Sequence, residues 1–269
     1  MLTELQKRTI QAIVNTFETG TPGGDYSRVT LLSGDSGHLT YGRSQTTLAS
    51  GSLARLVRSY CATRDGSIAD ELRQYLPRLE ACDTSLDTDT RLGSLLHDAG
   101  ADPVMRRIQD EFFDRAYWDP ALRAAESLGI ETALGTAVIY DSFIHGAWAR
   151  MRDATLARTG LPSAALAKEG LPSASQNVTA GIGEREWIRQ YIHVRREWLA
   201  THPNPLLRRT VYRMKAFTAL ANEGNWDLAL PLGVHGVLLD ERAVAGEGAA
   251  PLAAPSLAAA QEAHSEKDA

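Results

Sequence analysis

The stretch NTFETGTPGGDYSRVTLLSGDSGHLTYG, Asn15 to Gly42, decides how the rest of the chain is read. It opens as the end of a helix. Upstream, Thr3 and Gln6 stand in capping-box register, and Ile10, Ile13, Val14 and Phe17 fall on one apolar face. Gly20 and Pro22 then stop the helix, the first by tolerating a left-handed turn and the second by being unable to continue it. Val29–Leu32 and Leu39–Gly42 read as short strands joined by the turn-forming Ser33-Gly34-Asp35-Ser36-Gly37. The expectation is one helix followed by a small hairpin or three-stranded sheet. Two carboxylates, Glu18 and Asp35, stand on either side of this tightly turned segment.

From Ser50 onward the apolar spacing is helical. Leu53, Leu56, Val57 and Tyr60 share a face, as do Ile68, Leu72, Tyr75, Leu76 and Leu79. Asp102-Pro103, Asp119-Pro120 and Asn204-Pro205 each read as a helix start, with a side-chain cap followed by proline at the first helical position. A helix carrying tyrosine, aspartate and histidine is expected within Leu134–Arg150. Trp187, Ile188, Tyr191, Ile192, Trp198 and Leu199 line another, and Leu207, Val211, Met214 and Phe217 the last strong one. Ala154–Ala180, in which GLPSA occurs at Gly160 and again at Gly170, reads as a loop. Residues 1–240 are read as one domain, and the Ala-, Gly- and Pro-rich residues 241–269 as a disordered tail. The fold class is mainly α: two helical lobes, a small antiparallel sheet near the N-terminus, and a cleft between the lobes.

The bulk properties narrow the function. The chain has 269 residues, 43% of them apolar, which suits a globular fold. A net charge of -5 argues against a nucleic-acid partner, which favours clustered Lys and Arg. Cys61 and Cys82 read as thiols, and their spacing alone implies no disulfide. The seven histidines form no ligand-spaced pair with the cysteines, so nothing here reads as a zinc site. The N-terminal segment is amphipathic rather than a signal peptide, and no window approaches a membrane span. The expectation is a monomer, cytoplasmic as written, or acting outside the cell or in the periplasm by a route without a cleaved signal. It is also compatible with a domain of a longer chain.

Two carboxylates suffice to hydrolyse a glycosidic bond, so neither a metal nor an organic cofactor is implied. One protonates the leaving oxygen while the other activates water or attacks the sugar, so one must hold its proton and the other be ionised. Glu18 closes an apolar helix, where burial and the C-terminal dipole both work against an anion. Asp35 lies in a glycine-flanked turn, where backbone N–H groups and water favour one. Both are also ordinary residues for a helix end and a turn, and Asp25 is an alternative to either.

FETG followed by GDSGHLTYG resembles the catalytic region of the chitosanases of glycoside hydrolase family 46. DEFFDRAYWDPA, Asp110 to Ala121, resembles that family's long central helix and its exit, and ALGTAVIYDSFIHG, Ala133 to Gly146, its Y-D-x-x-x-H-G segment. The resemblance implies a lysozyme-like fold and hydrolysis of β-1,4 links in an amino-sugar polymer with inversion. It implies Glu18 as general acid, Asp35 as general base and Thr40 as the residue that helps place the water. Arg195 and Arg209 would bridge to Asp141 behind the acid. One departure stands out: where the family usually carries an acid that binds a glucosamine ammonium group, this chain has Ser52. That weakens the case for chitosan and favours an N-acetylated polymer such as peptidoglycan.

Tyr41, Arg43 and Gln45 follow Asp35 on or after a strand, where alternate side chains should face the cleft and bind sugar hydroxyls, with Asp25 beside them. His38 is a candidate for the cleft wall. His145 reads as structural, and Trp118, Trp187 and Trp198 mostly as core. Two rivals to the chitosanase reading remain: a peptidoglycan-cleaving muramidase, and a wall-binding module without turnover.

Overall fold

The computed structural model describes residues 2–31, 37–43, 45–160 and 181–246. They divide into two compact units, the first joining Met1–Gly23 to the chain from Ala125 onward and the second comprising Gly24–Ala124. The chain is mostly helical with a small antiparallel sheet, as expected. No helix among the described residues is long and apolar enough to cross a membrane.

In the first unit, α1 (Glu4–Thr19) starts with the predicted capping box and ends at Gly20, whose φ is 77°. Thr3 Oγ1 accepts from the Gln6 N–H at 3.1 Å, and Gln6 Oε1 accepts from the Thr3 N–H at 2.9 Å. Ile10, Ile13, Val14 and Phe17 are buried. The helix packs on α7 (Ala133–Ile144), which is buried at every residue from Ala133 to Ser142. A helix apolar on all sides belongs at the centre of its unit. Further helices are α8 (Trp148–Thr159), α9 (Glu184–Thr201) and α11 (Tyr212–Asn222).

Four details depart from expectation in this unit. The helix expected within Leu134–Arg150 breaks at His145, and Gly146 and Ala147 turn left-handed at φ 88° and 68° before α8 begins. Helix α8 runs through Ala154–Thr159, read as loop, because Thr155 and Leu156 are buried beneath it. The repeat of GLPSA lies largely outside the described residues. Leu232–Val234 and Val237–Leu239 form an unforeseen antiparallel pair, β4 and β5, turned by His235 and Gly236 at φ 50° and 81°. The expected boundary after Asp240 is followed by one more helical segment, α12 (Glu241–Val244), capped by Asp240 and packed on α1 and β5. The rest of the expected tail, 247–269, lies outside the described residues. Between α9 and α11, Asn204 caps the short α10 (Pro205–Arg208) as predicted.

The second unit holds a sheet of order β1-β2-β3, built from Val29–Thr30, Thr40–Tyr41 and Thr46–Thr47. Its helices are α2 (Ser52–Thr63), α3 (Ser67–Glu80), α4 (Thr90–Ala99) and α5 (Pro103–Phe113). Leu53, Leu56, Val57, Tyr60, Leu72 and Leu79 form its core with Leu92 and Leu96. Asp102 caps α5 as predicted. The third predicted start fails: α5 passes through a π-helical turn, Asp114–Trp118, straight into α6 (Asp119–Leu128). Pro120 has no N–H to give the helical ladder, and the Asp119 N–H reaches back five residues to the Asp114 carbonyl. Cys61 and Cys82 are free thiols.

Two-residue strands carry few ladder bonds, so the sheet depends on Gln109 of α5. Its side chain is fully buried. Its Oε1 accepts from the Arg43 N–H and its Nε2 donates to the Tyr26 carbonyl, both at 2.9 Å. Gly42, at φ 68°, lets the chain pass: a Cβ there would lie 2.1 Å from Gln109 Oε1. Gly42→Ala should therefore cost about 2 kcal/mol or more in urea denaturation, from backbone strain and overpacking together. A variant as stable as the parent would show that the Gln109 clamp yields freely.

Candidate active site

The candidate residues of the first unit are arranged around a single charge. Asp141 has no exposed surface, and it sits on the apolar α7. A buried carboxylate must be paired or it is costly. Arg213, on the first turn of α11, donates from Nη1 to Asp141 Oδ1 at 2.7 Å. Arg195 Nη2 lies 4.0 Å from the other oxygen. Arg213 is itself buried, and its second terminal nitrogen, Nη2, donates to Glu18 Oε1 at 2.7 Å. Its guanidinium lies 5.4 Å from the centre of the Phe17 ring. Burial alone would lower the Arg213 pKa, but the Asp141 and Glu18 carboxylates outweigh it and hold the group above its usual value. Tyr212 donates to the Phe17 carbonyl at 2.8 Å, and Arg213 Nη2 to the same oxygen at 3.4 Å, so this acceptor at the end of α1 is satisfied. Glu18, with its side chain 40% exposed, is thus fixed at one oxygen.

Arg195 directs its hydrogen bonds to the turn after α7. Nη1 donates to the Gly146 carbonyl at 2.8 Å and Nη2 to His145 Nδ1 at 3.1 Å. A ring nitrogen that accepts from a guanidinium carries no proton, so the imidazole is neutral with its proton on Nε2. Burial, then the Arg213 charge, push the His145 pKa down to about 4.

In the second unit, Asp35 lies outside the described residues. Thr40 is buried on β2, and its hydroxyl donates to the His38 carbonyl at 3.1 Å. Asp87 grips the start of that strand. Its Oδ1 accepts from the Leu39 N–H at 2.8 Å, and its Oδ2 lies 2.7 Å from His38 Nδ1. Two expected sugar contacts turn inward instead. Tyr41 is fully buried in the core. The Arg43 side chain is buried, ion-paired to Asp110, with its guanidinium 4.8 Å from the centre of the Phe113 ring. Tyr26 donates to the same Asp110 at 2.8 Å, and burial pushes its pKa up to about 12. Alternation predicted cleft-facing positions, but the strand ends at Tyr41 and the chain turns at once through Gly42. Gln45 and Asp25 are exposed: Gln45 Nε2 donates to the Gly42 carbonyl at 3.0 Å, and Asp25 Oδ1 accepts from the Ser27 N–H at 3.1 Å. Ser52 Oγ accepts from the Thr47 N–H at 2.9 Å.

The model of the family described as Glycosyl hydrolase family 46 matches residues 12–232. The chain belongs to glycosyl hydrolase family 46. A chitosanase of Bacillus subtilis (strain 168) is 29% identical over 241 residues, covering 86% of this chain and 82% of that protein. The structure of a Gynuella sunshinyii GH46 chitosanase in complex with chitotetraose has a TM-score of 0.65 at 27% identity, covering 89% of this chain and 98% of that one. A mutant chitosanase from Bacillus subtilis MY002, complexed with 6 GlcN, has a TM-score of 0.66 at 24% identity, covers 94% of this chain and 100% of that one, and shows the shared fold.

In this family-46 chain the arginine pair expected on Asp141 is half corrected. Arg195 is there, but the second is Arg213, not Arg209. Arg209 is exposed on the 3-10 turn Arg209–Val211. Arg213, one helical turn later, points inward with Met214 and Phe217. The signal was present: Arg213 falls on the same apolar stripe, four residues before Phe217. Asp87 and Gln109 were missed altogether, because each acts on a strand far away in sequence. Trp118 and Trp187 are core residues, while Trp198 is half-buried. Among the described residues no group of three or more His, Cys, Asp or Glu could hold a metal ion.

Arg213→Met should strand Asp141 and cost about 3–5 kcal/mol in chemical denaturation, whereas Arg209→Ala should cost almost nothing. Equal losses for the two would restore Arg209 to the network. His145 supplies a pH test. Its folded pKa lies below the ordinary 6.5, so the unfolded chain binds the extra proton between about pH 6.5 and 4. The stability it contributes is complete above about pH 6.5 and fades as pH falls toward about 4. His145→Asn, which still offers Arg195 an acceptor, should flatten stability measured against pH across the upper part of that window. An unchanged slope would mean that His145 binds its proton equally well in the folded and unfolded chains.

Proposed function

We propose that the chain hydrolyses β-1,4 links in an amino-sugar polymer of the chitosan type, with inversion at the anomeric carbon. Membership of glycosyl hydrolase family 46 supports the reaction class. The related Bacillus subtilis chitosanase and the solved complexes with chitotetraose and 6 GlcN support the polymer. The observation that carries the reading is the Asp141–Arg213–Glu18 chain, which ends on an exposed carboxyl held at one oxygen.

Glu18 is the general acid. Arg213 occupies Oε1, so Oε2 is the atom that gives its proton to the leaving oxygen. Asp35 is the general base that takes a proton from the attacking water, and Thr40 helps place that water. Exposed Gln45 and Asp25 are the remaining candidates for sugar contacts. Because the polymer is extracellular material, the reading entails action outside the cell or in the periplasm.

Glu18→Gln keeps an acceptor for Arg213 and removes the transferable proton. Reducing-end release from chitosan should fall by roughly 10²–10⁴-fold while the melting temperature stays nearly constant. Fresh products followed by NMR should appear first as the α-anomer. Retained activity in the variant would remove Glu18 from the chemistry, and an initial β-anomer would remove inversion.

A further inference from the structure

The second unit contains a cavity of about 670 Å³, within the range of small-ligand sites. Gln45, Ser52, Arg55, Arg58, Arg115 and Tyr117 are among its lining residues, and none of the lining residues is acidic. Arg55 and Arg58 stand three apart on α2 and so share one face. Arg115 comes from the π-helical turn, where its guanidinium lies 4.9 Å from the centre of the Phe112 ring. Glu80 pairs with Arg58 from outside the lining. Among the described residues, neither Arg55 nor Arg115 has an ion-pair partner, and both are exposed. Ser52 begins α2, so the positive end of a three-turn helix also opens at this wall.

Concentrated positive charge in a concave site repels cations and gathers anions. Guanidinium forks match carboxylate and phosphate oxygens in particular. Tyr117 and Phe112 add ring surface of the kind a pyranose packs against, while Gln45 and Ser52 offer hydrogen bonds to hydroxyls. A glucosamine ammonium group would meet three arginines here and no carboxylate.

We infer that this cavity binds an oxyanion, carboxylate or phosphate, carried as a substituent on the amino-sugar polymer. The inference rests on the hydrolase reading and adds to its chitosan-type substrate amino-sugar polymers that carry acidic substituents. Binding is measured by calorimetry in the Glu18→Gln background, where oligomers survive. The probes are a muramic-acid-containing tetrasaccharide for carboxylate, a glycerol-phosphate-substituted oligomer for phosphate, and chitotetraose and the N-acetylglucosamine tetramer as controls. At least one acidic probe should bind about tenfold or more tightly than either control, and added salt should weaken it. Introducing Arg55→Gln and Arg115→Gln together should remove that advantage without lowering the melting temperature. Arg55→Glu should improve binding of chitotetraose.

Equal affinity for acidic and control oligomers would overturn the inference, as would an acidic preference that survives loss of both arginines. The two readings fail separately. Chitotetraose cleaved by the parent chain, with no binding of either acidic probe, sinks the cavity assignment and leaves the hydrolase. Acidic binding that needs the arginines, with no polymer cleaved, does the reverse.

Discussion

A fully buried carboxylate, placed on the most apolar of the described helices, sets the terms for everything around Glu18. Left unpaired, Asp141 would carry a penalty comparable to the stability of a whole domain. One cation at hydrogen-bond distance relieves it, but that cation is buried too and needs a second partner. Arg213 meets both demands because its guanidinium is a planar fork: one arm reaches Asp141 and the other Glu18, each at 2.7 Å. A lysine offers one point of charge and could not hold two carboxylates apart in a fixed geometry. The position of the proposed acid is thus a consequence of neutralising a charge in the core. With Arg195 included, the cluster holds two carboxyl groups and two arginines. Arg195 couples it to the turn after α7 through His145 and Gly146.

The second unit solves a different problem by a related route. Its strands are two residues long, far too short to hold register by their own ladder bonds. Polar side chains from distant helices do it instead. Asp87 takes the Leu39 N–H and the His38 ring, and Gln109 takes the Arg43 N–H and gives one to Tyr26. Each anchor is satisfied at both of its polar atoms, so it fixes the backbone without leaving a buried group unmet. Arg43 and Tyr41, which strand alternation assigned to sugar, are taken up by this packing.

What could be read from sequence was what local chemistry decides. The capping box at Thr3, the glycine stop at Gly20, and the caps at Asp102 and Asn204 depend on residues within a few positions, and all four stand as read. Asp119-Pro120 shows the limit of that logic. The same cap-and-proline signal is overridden when the preceding helix continues through a π-helical turn. The break at His145–Ala147 was hidden because a buried arginine from another helix stabilises it. Arg209 and Arg213 differ by one helical turn, and matching a pattern by order cannot tell them apart. The direction of the apolar stripe can, since it faces Arg213 inward beside Met214. Asp87 and Gln109 carry no local mark, because their partners lie 48–49 and 66–83 residues away.

The arginines of α2 belong to the same class of hidden information. Two exposed arginines on one helix face are ordinarily a solvated surface. They acquire meaning when a third, Arg115, from the turn after α5, lines the same cavity and no lining residue is acidic. Ser52 then looks less like the loss of a cation-binding acid than one part of a wall whose sign has changed. The chemistry does not require that sign to be fixed. The proposed proton donor hangs on the Asp141–Arg213–Glu18 chain in the first unit, while the proposed oxyanion site lies in the second, on residues that share no hydrogen bond with that chain. Groups without shared partners contribute nearly independently. On the two proposals, substitutions of the exposed arginines on α2 and the π-helical turn change which polymer this chain binds and leave the network around Glu18 untouched.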